Sequence, residues 1–229
     1  MKVMKKRTVK GDFSSVITID GPVGVGKSTV ARALSERLGY TYLDTGAMYR
    51  AFSLKVLRNG IPLENEKEII RLLQKTRVWF DGNRVLLDGE DVSGAIRTKE
   101  IDSVVSYISA IPEVRRHIVA IQREIASGGK VVMEGRDCGS VVFPKAKYKF
   151  YLDASIEERV RRRLLDEKYR NQGLSPEEVR KSIELRDYLD KSRKDSPLRV
   201  PKGAILINTD GLRVEEVVDK IISYISSIR

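Results

Sequence analysis

Residues 21–28 read Gly-Pro-Val-Gly-Val-Gly-Lys-Ser, a match to G-x-x-x-x-G-K-[ST], the spacing of a phosphate-binding loop. Its glycines let successive backbone N–H groups turn inward on phosphate oxygens, and a following helix adds its positive N-terminal end. In such a loop Lys27 reaches the β- and γ-phosphates of a nucleoside triphosphate, and the Ser28 hydroxyl ligates Mg²⁺. The expected nucleotide-binding run is Gly21, Pro22, Val23, Gly24, Val25, Gly26, Lys27, Ser28 and Thr29. A glycine-rich turn without a ligand is the plain alternative. It accounts for the glycines but not for the Lys-Ser pair that closes the motif.

The mechanism requires a strand before this loop and a helix after it. Val16–Ile19 is a β-branched run ending at Asp20-Gly21-Pro22, and Val30, Ala33, Leu34 and Leu38 recur at helical spacing before Gly39. Further on, strands are expected at 40–43, 130–133, 149–152 and 204–207. Helices are expected near 47–58, 66–75, 99–107, 112–126, 155–170, 175–191 and from Val214. Val78–Phe80 and Val85–Leu87 flank Asp-Gly-Asn-Arg, a hairpin signal. Strands alternating with helices imply an α/β fold, a parallel sheet flanked by helices, with the hairpin as an insertion.

Composition narrows the class. The 229 residues are 41% hydrophobic and 33% charged, too apolar for a disordered chain and sufficient for one compact domain. No run approaches the roughly 18 apolar residues of a membrane span, and the basic N-terminus lacks the apolar stretch of a signal peptide. With one Cys and one His, neither a disulfide framework nor a zinc site is expected, and a cytoplasmic location follows. The net charge is +11. Residues 1–15, read as a basic N-terminal extension, hold five cations and one acid; the remaining excess favours anionic partners.

The loop alone does not name a reaction. The Asn-Lys-x-Asp element of GTPases is absent, its nearest fragment being Asn208-Thr209-Asp210. What remains is a small phosphotransferase, for which arginines around an acceptor phosphate are expected. They sit in three strings: Leu43-Asp-Thr-Gly-Ala-Met-Tyr-Arg50, Glu134-Gly-Arg-Asp-Cys-Gly-Ser-Val-Val-Phe-Pro144, and Arg186-Asp-Tyr-Leu-Asp-Lys-Ser-Arg193. In this order, and with Ile19-Asp-Gly-Pro22 ahead of them, they resemble bacterial cytidylate kinase from about residue 16 to the C-terminus. The resemblance implies a P-loop NTPase fold of the nucleoside monophosphate kinase type, a single domain over 16–229. An acceptor-binding insertion with the hairpin would cover about 44–105, and a short helical lid about 158–174.

It also implies roles. Arg50, Arg136 and Arg186 would hold the acceptor phosphate, a task that suits bidentate, permanently charged guanidiniums. Asp44 and Tyr49 fall on the same substrate side. Asp137 would read the base, since a carboxylate accepts from the exocyclic amine of cytosine and repels a carbonyl; Ser106 and Arg115 match positions that complete the reading. Arg186, Asp190 and Arg193 share one helical face, with Asp190 implied on the ribose and Arg186 and Arg193 on phosphate. Arg159, Arg162 and Arg163 share another, and Arg162 best matches a lid arginine that neutralises the transferring phosphoryl. Glu134 would orient Mg²⁺-bound water, and Asp20 is a similar candidate. Cys138 is expected as packing, His117 as a surface residue.

The implied reaction moves the γ-phosphoryl of Mg·ATP to CMP and dCMP, catalysed by Lys27, Arg136, Arg186 and Arg162, in a monomer without nucleic-acid or membrane partners. The alternatives are a kinase for UMP or AMP, or a nucleic-acid-binding ATPase, which the basic charge would serve.

Overall fold

The computed structural model describes residues 15–166 and 173–227. Five strands, β1 (Val16–Asp20), β2 (Thr41–Asp44), β6 (Val131–Gly135), β7 (Tyr148–Asp153) and β8 (Ile205–Asn208), form one sheet in the order β2-β6-β1-β7-β8. Every pairing in it is parallel, with Ile17 opposite Val132 and Tyr148. β1 and β6 are buried at all five positions, as expected where helices cover both faces and neither face meets water. On one face, helix α1 (Lys27–Leu38) and the last helix, α8 (Val214–Ser227), pack Leu34 and Ile221 on Phe150 and Val132. On the other, α5 (Pro112–Ile125) sets Val119 among Leu43, Met133 and Val142.

Between β2 and β6 the chain leaves the sheet through α2 (Thr45–Arg58), α3 (Glu66–Leu73), a small antiparallel sheet and α4 (Lys99–Ile108). This segment has its own apolar cluster around Phe52, Ile69, Leu87 and Ile96, which also takes in Ile108, Val114 and Ile118 beyond residue 105. The hairpin expectation needs one addition. Strands β3 (Val78–Asp81) and β4 (Arg84–Leu87) are joined by β5 (Glu90–Asp91), whose two polar residues carry no strand pattern and are ordered by pairing with Leu86 and Leu87.

Two helices lie beyond β7: α6 (Ile156–Leu165) and α7 (Pro176–Ser192). The helix expected to reach Arg170 ends at Leu165; positions 167–172 of the expected lid, like 1–14 of the N-terminal extension, lie outside the described residues. A satellite cluster of Val23, Val160, Val179 and Ile183 fastens these two helices to the phosphate loop. The motif-bearing segments therefore converge at the C-terminal ends of β1, β2 and β6, the edge where open parallel sheets bind ligands. No described helix is long and apolar enough to cross a membrane.

Candidate active site

A cleft of about 720 Å³ opens over that edge. In its donor half the loop wraps from β1 into α1. Gly26 caps the helix in a left-handed conformation (φ +90°), and α1 has neither a side-chain cap nor an acid in its first turn. Helices α2, α4, α6 and α7 are all capped by a side chain. The N–H groups of α1 are thus left for an anion. Gly21 (φ +152°) is required sterically, because a Cβ there would lie 2.2 Å from the Leu152 carbonyl oxygen. Gly21 and Pro22 shape the loop from behind and do not line the cleft, whereas Val23 through Thr29 do.

Lys27 is buried and donates to the Pro22 carbonyl at 2.6 Å. Burial and the nearby Arg136 charge push its pKa down to about 7, against Glu134, Asp190 and Asp20. Ser28 Oγ donates to Glu134 Oε1 at 2.6 Å, and the Tyr42 hydroxyl lies 3.4 Å from the same oxygen. Burial and the neighbouring Asp44 raise the Glu134 carboxyl above the usual range. A serine hydroxyl beside a carboxylate is a hard-oxygen donor set of the kind Mg²⁺ takes. Asp20 is otherwise occupied: its two oxygens accept the backbone N–H groups of Cys138 and Gly139 at 2.8 and 2.7 Å. It anchors the π-helical turn Cys138–Val142 and, unlike Glu134, does not line the cleft.

In the acceptor half, Asp102 holds two arginines, Arg50 in an ion pair and Arg186 at 3.1 Å. Asp190, almost wholly buried, holds two more: Arg136 at 2.7 Å on one oxygen and Arg193 on the other. Arg115, also buried, is paired with Asp137 and sits 5.2 Å over the Tyr49 ring. Five guanidiniums face three carboxylates, an excess of two positive charges. At Arg186, burial first and then the adjacent Arg136 and Arg50 charges lower the pKa to about 10. Asp102 and Asp190 move the other way: burial opposes ionisation, but the arginines outweigh it and hold both below the usual carboxylate range. A dianionic phosphate is the natural complement.

Residues 17–227 match the family model described as cytidylate kinase. The chain belongs to the cytidylate kinase family. It is 55% identical over 205 residues to a cytidylate kinase of Caldanaerobacter subterraneus subsp. tengcongensis, covering 90% of this chain and 92% of that protein. It is 47% identical over 213 residues to one of Carboxydothermus hydrogenoformans, covering 91% and 96%. At the level of fold, a crystal structure of an uncharacterized protein from Eubacterium ventriosum superimposes with a TM-score of 0.51 at 13% identity, covering 93% of this chain and 99% of that one.

As a member of the cytidylate kinase family the chain is a P-loop kinase, and the cleft gathers the residues its sequence singles out. Asp44, Tyr49, Arg50, Ser106, Arg115, Glu134, Arg136, Asp137, Arg162, Arg186, Asp190 and Arg193 all line it. Three of them are also held by partners within the protein. The Asp44 carboxylate caps α2 through the Ala47 N–H (2.9 Å) and pairs with Arg97 at 2.6 Å. Arg115 is buried against Asp137. Arg162 donates to the Thr209 hydroxyl at 2.9 Å and to the Val25 carbonyl at 3.3 Å, so it stands against the phosphate loop on the donor side. Cys138 packs in the core as expected, and burial pushes its thiol up; His117 is half-buried, which lowers its pKa.

Sequence reasoning missed Arg97, Asp102, Ser109 and Asp187. Ser109 accepts from Arg193 at 3.0 Å through its hydroxyl and from Arg115 at 3.0 Å through its carbonyl, joining the two arginine groups. Asp102 lies in the first turn of α4, where an acid reads as complementing the helix dipole. Only its long-range partners distinguish it.

Proposed function

We propose that this chain transfers the γ-phosphoryl of ATP to CMP and dCMP, giving the nucleoside diphosphate and ADP. The observation that carries the reading is the two-sided cleft. An uncapped helix N-terminus with Lys27 lies on one side. An arginine cluster with two surplus positive charges, beside the buried Arg115–Asp137 pair, lies on the other.

In this reading the loop amides and Lys27 cradle the donor phosphates, and Arg50, Arg136 and Arg186 take the acceptor phosphate. Asp137 accepts from the cytosine amine, with Arg115 and Ser106 on the remaining edge. Asp190 faces the ribose, and Arg193 joins Arg186 on phosphate. The Tyr49 hydroxyl, buried and without a hydrogen-bond partner among the described residues, is left for the substrate. Arg162, already against the loop, faces the donor phosphates. Ser28 is the residue that would ligate Mg²⁺ and Glu134 would hold it through bound water; the ion, when bound, supplies charge neutralisation on the transferring phosphates. The acceptor is already an anion, so no general base is needed and the protein's work is positioning and electrostatic stabilisation.

The nucleic-acid ATPase alternative drew on the net charge of +11. Of the +7 outside the N-terminal stretch, the acceptor cluster accounts for two. The cleft as a whole is lined by eleven cations against six acids, so the excess is concentrated where phosphates would sit and the motive weakens. The test is ADP formation from Mg·ATP with CMP, dCMP, UMP, AMP or GMP, beside a lane without acceptor and one with RNA. Turnover confined to CMP and dCMP is expected. Turnover with another monophosphate would discard Asp137 as the cytosine reader, and stimulation by RNA alone would overturn the kinase reading.

A further inference from the structure

Helical spacing groups Arg159 with the other arginines of α6, but the fold uses it differently. Its guanidinium pairs with Asp187 of α7, and both residues are more than nine-tenths buried. The pair encloses one peptide segment of the phosphate loop. Arg159 Nη1 donates to the Val23 carbonyl at 3.2 Å, and the Val23 N–H donates to Asp187 Oδ1 at 3.3 Å. The Val23 side chain meanwhile packs among Val160, Val179 and Ile183 of the same two helices. α6 approaches so closely that a Cβ on Gly24 would lie 3.2 Å from that of Arg159.

Asp187 directly follows Arg186 and stands three residues before Asp190. One short stretch of α7 thus grips the donor loop by one side chain and the acceptor arginines by its neighbours. Arg186 meets Asp102, while Asp190 holds Arg136 and Arg193. A buried ion pair contributes little net stability compared with well-packed apolar residues. What it supplies is direction: both polar groups of Val23 are committed, so the loop cannot slide along α7 without leaving buried groups unpaired.

We propose that Arg159 and Asp187 are positioning residues, a strut that sets the distance between the donor and acceptor phosphate sites. The inference rests on the two-substrate reading above. In-line transfer needs the reacting atoms held within about 3–3.5 Å, and here the spacing depends on how α7 docks on the loop. Neither residue lines the cleft.

The test uses R159M/D187L, which keeps the volume apolar and is expected to fold, together with D187N. Three affinities are measured by titration calorimetry: ATP alone, CMP alone, and a compound joining adenosine and cytidine 5′ to 5′ through five phosphates. The joined compound reports spacing, because its affinity requires both half-sites to be engaged at once. For the strut, ATP and CMP stay within about threefold of wild type while the joined compound weakens about tenfold or more. An unchanged affinity for the joined compound, or an equal fall for all three ligands, overturns it. If the double variant does not fold, the same three titrations on D187N decide. A wild-type chain that binds ATP but neither CMP nor the joined compound would overturn the function proposed above, and the strut with it.

Discussion

The Lys27 ammonium donates to the carbonyl of Pro22 at 2.6 Å, so the cation best placed to meet a γ-phosphate bends back across its own loop. The bond satisfies a buried charge that burial already disfavours. An entering triphosphate offers stronger acceptors and would draw the side chain into the cleft. Lys27→Met leaves the helix start intact and removes only that charge. The expected result is a fall in kcat of about 10²–10³-fold, measured as CDP formation at saturating CMP, with the thermal midpoint retained. Near-wild-type turnover would exclude Lys27 from the transfer step.

Asp137 and Arg115 are paired deep in the acceptor half. If Asp137 accepts from the cytosine amine, Asp137→Asn should cut the preference for CMP over UMP by an amount worth about 1–3 kcal/mol. The ratio of kcat/KM values for the two substrates reads this directly and is insensitive to any fraction of enzyme that fails to fold. The affinity for ATP should stay close to wild type. A preserved ratio would leave Asp137 as no more than the partner of Arg115.

How much of this was legible in the sequence depended on whether a feature is made by neighbours in the chain. The phosphate loop is contiguous and built from backbone, so Gly21–Ser28 announced both its shape and its ligand class. The strand β5 did not, because Glu90 and Asp91 are ordered by pairing with Leu86 and Leu87 and not by their own preference. The arginines of α6 show the limit most clearly. Spacing put Arg159 and Arg162 on one face, yet docking against the loop turns Arg159 into a buried pair with Asp187 and sends Arg162 to Thr209. Arg97 and Asp102 carry no local signal at all; their partners, Asp44 and Arg50, lie more than fifty positions away.

Asp102 supplies a test of the acceptor cluster that needs no turnover. It is an internal counter-ion for Arg50 and Arg186, occupying guanidiniums that a phosphate would otherwise take. Asp102→Asn should lower the thermal midpoint in phosphate-free buffer, because the arginines are left in mutual repulsion. Inorganic phosphate or CMP should restore it more strongly than either stabilises the wild type. Equal ligand-induced shifts in the two proteins would show that these arginines do not form the anion site.

Asp20 carries a pH signature of its own. Burial pushes its pKa from 3.8 up to about 6, against the opposing hydrogen bonds from the Gly139 and Cys138 amides. Between those two values the native chain holds a proton that the unfolded chain has released. Its contribution to stability therefore declines as pH rises from about 4 to about 6, and the full penalty persists above that window. Asp20→Asn titrates in neither state. It gives up one of the two amide hydrogen bonds at every pH, since the Asn NH₂ cannot accept, but it escapes the ionisation penalty. The stability of D20N relative to wild type should thus improve by up to about 3 kcal/mol between pH 4 and pH 7, read from urea midpoints of both proteins across the range. A difference that stays flat, or that moves against D20N as pH rises, would mean that the carboxylate is ionised without penalty. The amides of the π-helical turn would then offset its burial completely.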